Sequence, residues 1–332
     1  MSKPTSRVLS GDELARFGAE IDALRARTVA DLGERDARYI RNVYKAVRYS
    51  EILGRALLMV AWFLPEGWVF GTAAVGAVIL GLSKILDNME LGHNVIHGQY
   101  DWMGDPVLNG KTFEWDIMGT SENWRKTHNF RHHTYTNIHG MDEDLGYGVL
   151  RVFPEQKWHP ARLGQPIYAI IFAILFEWGV AIQDLRLGRW LTGRVTNKQM
   201  FQISRPALLK MRRQLVKDYL IWPLLAGPGF LVVLAGNAVA NVIRSLWTYT
   251  VIFCGHFTTD VQTFPKNVLK NDTRASWYVR QVAGSSNLSG GFLLNVMTGN
   301  LSHQIEHHLF PDVPANRYAE MAVQVREICA RY

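Results

Sequence analysis

The sequence predicts an all-α membrane protein: four transmembrane helices in two hairpins, with its histidines gathered in a cytosolic helical cap. Three observations predict it. Apolar residues are concentrated in blocks, basic residues flank those blocks, and eight of the eleven histidines fall in three short boxes. Helices long enough to cross a ~30 Å hydrocarbon core need ~17–20 apolar residues at ~1.5 Å each, and the blocks are of that length.

Residues 1–48 are charged and carry no apolar core of the length a signal peptide requires, so they are expected to form a cytosolic amphipathic segment. Ser10 and Glu13 fit a capping box, and Leu14, Phe17, Ile21 and Leu24 recur at helical spacing. This helix is expected to lie on the membrane or to pack on the cap. The membrane domain is expected over 49–332. Its first hairpin pairs Tyr49–Leu64 with Trp68–Leu86 around Pro65-Glu66-Gly67, and its second pairs Asp218–Ala235 with Ala238–Gly255 around Gly236-Asn237. Lys and Arg are absent between Arg55 and Lys84 but plentiful in 1–50 and in the middle segment. The positive-inside rule therefore places both termini and the middle in the cytoplasm. Arg244 interrupts the fourth block and is expected to snorkel towards the outer interface beside Asn237 and Asn241.

Pro166–Gln183 is nearly long enough to cross, but one extra crossing would put the first two boxes and the third on opposite sides. An interfacial or buried helix is expected there. All three boxes then meet on the cytoplasmic face, above an apolar tunnel between the helices.

The boxes are His93/His97, His128/His132/His133 and His303/His307/His308. Imidazole suits first-row metals, and His-x-x-x-His puts two rings on one helical face. Scattered core histidines would explain a lone ring but not the pattern His-amide-x-x-His-His, which occurs at 128–133 and again at 303–308. A zinc site takes three or four protein ligands, so eight or nine histidines imply two ions. Nitrogen-rich, thiolate-free ligation points to iron, and two irons with open positions can activate O2 against an unactivated C–H bond. A membrane zinc hydrolase is disfavoured because His-Glu-x-x-His is absent. The net charge of +7 and pI near 9.4 fit anionic lipid headgroups, since no aromatic-interleaved basic patch for nucleic acid is present. Cys254 and Cys329 form neither a CxxC pair nor a nucleophile motif.

From Tyr49 to Tyr332 these residues resemble the membrane fatty-acid desaturase family. Its signature is His-x3/4-His, His-x2/3-His-His and His/Gln-x2/3-His-His. Here those read His93 to His97, His128 to His133, and Gln304-Ile305-Glu306-His307-His308-Leu309-Phe310-Pro311, the last being similar to front-end desaturases and bacterial acyl-lipid or acyl-CoA relatives. The resemblance implies a four-helix stalk under a cytosolic di-iron cap, in which two Fe ions and O2 desaturate a fatty acyl chain carried on CoA, acyl-carrier protein or glycerolipid. It also implies a place in a membrane, for a bacterium the inner one, with the active site on its cytoplasmic face. His256, after the fourth span, resembles an additional ligand. Front-end relatives have glutamine where this chain has Gln304, but imidazole is the stronger iron ligand and the internal pattern favours it, so His303 is expected to ligate, with Gln304 as its substitute. The stearoyl-CoA type has a water-binding asparagine where this chain has Ile252, so that contact is not carried over.

Asp101, Asp105, Asp142, Glu143, Asp144 and Glu306 surround the boxes, and ligating histidines usually donate their second N–H to such groups. Glu306 is the strongest candidate; His139 and His159 are expected to be ordinary loop residues. No His-Pro-Gly-Gly haem segment, ferredoxin cysteine set or Gly-x-Gly-x-x-Gly turn is present, so electrons are expected from an external ferredoxin or cytochrome b5 type donor with its reductase. A hydroxylase of an alkyl, sterol or ceramide chain would share the box spacing. A histidine-rich metal transporter would need ionisable groups within its spans, which offer almost none.

Overall fold

The computed structural model describes residues 9–185, 190–191 and 193–332; the first eight residues of the expected N-terminal segment lie outside it. The described residues form helices joined by loops, with no strand and a single bridge between Ile138 and Phe264.

Helix α1, Gly11–Ala30, starts at the expected capping box, where Glu13 N–H donates to Ser10 Oγ at 3.3 Å and Ser10 N–H to Glu13 Oε2 at 2.9 Å. Its apolar face packs on the cap: Phe17, Ile21 and Leu24 join Tyr278, Phe310, Tyr318 and Val325 in one buried cluster. Helix α2, Glu34–Ala61, is continuous, so the expected boundary at 48/49 falls within a single rod. Helix α3, Glu66–Leu86, runs on through a π-helical turn, Asp87–His93, and a last turn, Asn94–Ile96.

Glu66–Ile96 and Gly227–His256 are long and apolar enough to cross a membrane. A third candidate is bent: α4, Gln165–Ile174, and α5, Phe176–Asp184, meet at Leu175 and their pair turns by 95°. Neither limb alone is long enough to cross, at ~1.5 Å per residue. Helix α6, Asn197–Val216, continues as a π-turn, Lys217–Ile221, and a short α-segment, Trp222–Leu225.

The structure corrects two expectations. The turn of the second hairpin is the 3-10 segment Gly227–Gly229, not Gly236-Asn237, and helix α7, Phe230–His256, passes straight through the latter pair. Gly236 and Asn237 are buried in that helix because they face α2 and the 217–221 turn: a Cβ on Gly236 would meet Leu58 Cδ2 at 2.3 Å, and Asn237 Nδ2 donates to the Asp218 carbonyl at 2.6 Å. Arg244 does not snorkel. It is 1% exposed, ion-pairs with Glu177 of α5, and donates to the Asp116 carbonyl at 3.3 Å.

Helix α3 packs against both α2 and α7. Glycine allows the α2–α3 approach, since a Cβ on Gly54 would lie 2.7 Å from Leu80 N and 3.0 Å from the Gly76 carbonyl. Close backbone contact through small residues is how helices associate where burial from water contributes little. Charges on these helices neutralise one another inward: Arg55 meets Asp218 at 3.3 Å, and Lys84 meets Asp218 at 2.9 Å and Asp116 at 3.3 Å. Ile52, Leu53, Val60, Leu220, Leu224 and Leu225 face outward. The pairing explains why α2 and the 217–225 segment carry charges yet present apolar outer faces.

Candidate metal centre

Box one lies on the π-helical end of α3 and the turn after it, and box two on a second π-helix, Arg125–His132, followed by His133–Tyr135. A π-helix bonds i to i+5 and so widens the turn, a deformation common at functional sites. In box two it brings His128 onto the face shared by His132 and His133. Box three is the short helix Gln304–Leu309, and His256 ends α7.

These elements bring eight histidines together in two groups. His93, His97, His128 and His307 form one, and His132, His256 and His308 the other; within each group the potential ligand nitrogens lie within 4.8 Å of one another. His133 stands between them, its ring 4.7 Å from those of His97, His307 and His308.

His303 is placed apart. It sits at the cap of its helix with φ −104° and ψ 58°, outside helical register, and its Nδ1 is 4.0 Å from Glu306. Gln304 takes the inward position instead: its Nε2 lies 2.9 Å from His256 Nε2 and its buried Oε1 has no partner.

Hydrogen bonds fix which nitrogen carries a proton in four of the rings, those of His93, His128, His132 and His308. His128 Nδ1 donates to Asp144 and His132 Nδ1 to Asp142, each at 3.0 Å. His93 Nδ1 donates to Asn94 Oδ1 at 3.0 Å, and His308 Nδ1 to Gln281 Oε1 at 3.0 Å. The Tyr318 hydroxyl donates to the Phe310 carbonyl and faces His307 Nδ1 at 3.4 Å. A neutral ring that donates through Nδ1 has a lone pair on Nε2. The Nε2 atoms of His93, His97, His128 and His307 are buried without a partner, and the Nε2 atoms of His132 and His308 face each other at 3.4 Å. Converging lone pairs repel unless a cation lies among them, so the donor set fits metal ions.

Burial, reinforced by the neighbouring imidazoles, holds His97, His128, His133, His307 and His308 well below the ordinary histidine range, in the neutral form that ligation requires. Burial acts on His132 in the same sense, but the Asp142 and Asp144 carboxylates outweigh it and push this ring up to about 9, so without an ion its Nε2–H faces His308 Nε2, and a metal there would displace that proton.

The fatty acid desaturase family matches over residues 66–332. The chain belongs to that family. It is 45% identical over 328 residues, covering 98% of this chain and 75% of the relative, to the NADPH-dependent stearoyl-CoA 9-desaturase of Mycobacterium tuberculosis. It is 24% identical over 296 residues, 84% of this chain and 80% of the relative, to the sn-1 linoleoyl-lipid 6-desaturase of Synechocystis sp.. The protein is a fatty acid desaturase, an oxidoreductase of lipid metabolism that introduces a double bond into an acyl chain.

The carboxylates around the desaturase centre divide differently from expectation. Asp142 and Asp144 orient the His132 and His128 rings, whereas Glu306 accepts from Asn287 Nδ2 at 2.8 Å and so anchors the third-box helix. Asp101 and Asp105 bind loop amides, and Glu143 pairs with Arg131. His139 and His159 lie outside both groups, as expected. Sequence reasoning missed the partners Asn94, Gln281 and Tyr318. Asn94 is inside the first box, but no spacing marks the other two, which the fold places beside their rings.

A cavity of mainly apolar lining opens beside the histidines of the desaturase. Met89, Trp115, Ile117, Trp124 and Ile252 form its walls, and His93, His128, His132, His256 and Gln304 reach it. It shares Asp142, Leu145, Tyr147 and Gln183 with a wider surface basin that also holds Arg131, His139 and Arg194.

Proposed function

We propose that the protein is an O2-dependent acyl-CoA desaturase of a bacterial inner membrane, crossing it four times, with two irons on the cytoplasmic side. The observation that carries this reading is the pair of histidine groups whose unpartnered Nε2 atoms converge beside an apolar cavity. His93, His97, His128 and His307 would hold one ion and His132, His256 and His308 the other, with His133 between them and Gln304 beside His256. Four crossings are supported by the outward apolar faces of α2 and the 217–225 segment, added to the two long apolar helices. The CoA carrier is supported by the 45% identity to a stearoyl-CoA desaturase.

The irons, when bound, supply reduction of O2 by donor electrons and the oxidising power to remove two hydrogens from a saturated chain. The protein's own residues prepare that reaction. Asp142, Asp144, Asn94 and Gln281 hold the rings in one tautomer and orientation, which fixes where each lone pair points. The apolar walls from Met89 to Ile252 exclude water and hold the chain beside the centre, so that positioning is settled before any bond breaks. Electrons come from a separate donor of ferredoxin or cytochrome b5 type.

Feeding saturated acyl-CoA to membranes holding the protein, a reductase system and O2 tests this reading. The expected product is a monounsaturated chain, with iron at two per purified chain. A hydroxylated product, or zinc in place of iron, would sink it; desaturation only of glycerolipid-bound chains would reassign the carrier.

A further inference from the structure

Two charged side chains reach the cavity from within the apolar part of the fold and hold no metal. Arg244 is 1% exposed and Glu177 7% exposed, and they pair with each other across α7 and α5. A charge kept in so apolar a setting is costly, and one that faces a cavity marks a functional position. On α7, residues 244, 248, 252 and 256 follow one face, and all four line the cavity. The rise from Arg244 to His256 corresponds to about 18 Å of helix. On α5, Glu177, Val180 and Gln183 line it likewise, and Gln183 also borders the surface basin. The cavity therefore has an order: basin, histidines, ion pair.

We propose that the Arg244–Glu177 ion pair is the floor of the acyl cavity and determines how many carbons can lie beyond the metal centre. This rests on the desaturase reading. A methyl end meeting an apolar floor can be accommodated by a rotamer change. A chain that passes this floor must pull apart a pair of charges carried on separate helices and leave each without its partner, which the setting does not compensate. The floor is thus a sharper limit than a phenylalanine or leucine would be. The carrier head lies at the opposite end, where the basin holds Arg194 beside the Arg131–Glu143 pair.

The test feeds a ladder of even-numbered saturated acyl chains to the full-length protein with its electron donor and measures each unsaturated product. Replacing both charges, Glu177→Leu with Arg244→Leu, leaves no orphan charge and is expected to shift the ratio of longer to shorter products upward, on the order of tenfold for each excess methylene relieved. Ser245→Leu adds bulk beside the floor and is expected to shift the ratio towards shorter chains. A purely structural role lowers every product equally and leaves the ratios unchanged, which would overturn the proposal. So would a uniform rise in KM at all lengths in the double variant, the sign of a lost headgroup contact. Should the double variant fail to fold, an unaltered length profile in Ser245→Leu overturns it instead. Desaturation by the parent protein, scored in the same assay, separates failure of the floor from failure of the desaturase reading.

Discussion

His303 and Gln304 are adjacent, yet the backbone turns them to different fates. The sequence repeat 128–133 and 303–308 favoured His303, because His128 and His303 both precede their histidine pairs by four and five residues. That parity fails in three dimensions because His128 lies inside a π-helix, whereas the third-box helix begins only at Gln304. Gln304, His307 and His308 then share a face. His303→Ala is expected to keep iron and most activity, while Gln304→Ala loses activity; iron content and product yield of the two variants check this. Asp142→Ala removes the partner of His132 Nδ1 and is expected to lower iron affinity or activity by about 10–100-fold. Glu306→Gln keeps the Asn287 contact and is expected to change iron content little, read by metal analysis of the purified protein. The clustering of the histidines was legible because three short boxes carry it. Their partners were not, because Gln281 and Tyr318 reach the rings through packing that leaves no local spacing.

Among the elements, the first hairpin was legible and the second only incompletely. Pro65-Glu66-Gly67 interrupts two apolar blocks cleanly, and the helices break there. In the second hairpin Gly227-Pro228-Gly229 carries the turn, while Gly236 serves packing against Leu58, so one glycine signal was a turn and the other a close approach. Composition alone does not separate those uses. The Gly54 contact gives a direct test: Gly54→Ala must push α2 off the α3 backbone, costing about 1–3 kcal/mol of stability by thermal unfolding in detergent. The start of α2 gives another. Burial works to raise Asp36, but Arg317 at 2.6 Å, Asn316 at 2.7 Å and the Gly33 N–H at 3.1 Å outweigh it and hold this carboxyl below the usual range. A depressed carboxyl stabilises the fold above its unfolded-state pKa, and that contribution is lost as pH falls through its lower folded-state value. Asp36→Asn is therefore expected to be less stable at neutral pH, and the difference from the parent should shrink as pH falls below the ordinary carboxylate pKa of about 4, followed by thermal unfolding.

Taken whole, the molecule gathers its histidines where the two long apolar helices end, and the arginine and lysine asymmetry read from the sequence predicts that this end faces the cytoplasm. Single cysteines replacing the exposed residues Gly67 and Pro228, in a background lacking Cys254 and Cys329, are expected to react with an impermeant thiol reagent from outside. One replacing the exposed Lys157 is expected to react only after permeabilisation. Labelling at position 157 from outside would refute the shared cytoplasmic centre. His307 is steadied by Tyr318, whose hydroxyl also accepts from Gln99 Nε2 at 3.0 Å, so the turn just after the first box is tied to the last helix, Tyr318–Arg331. During synthesis the first box leaves the ribosome roughly two hundred residues before that helix. Until the third box is made, the first two boxes therefore lack His307 and His308, which complete both histidine groups.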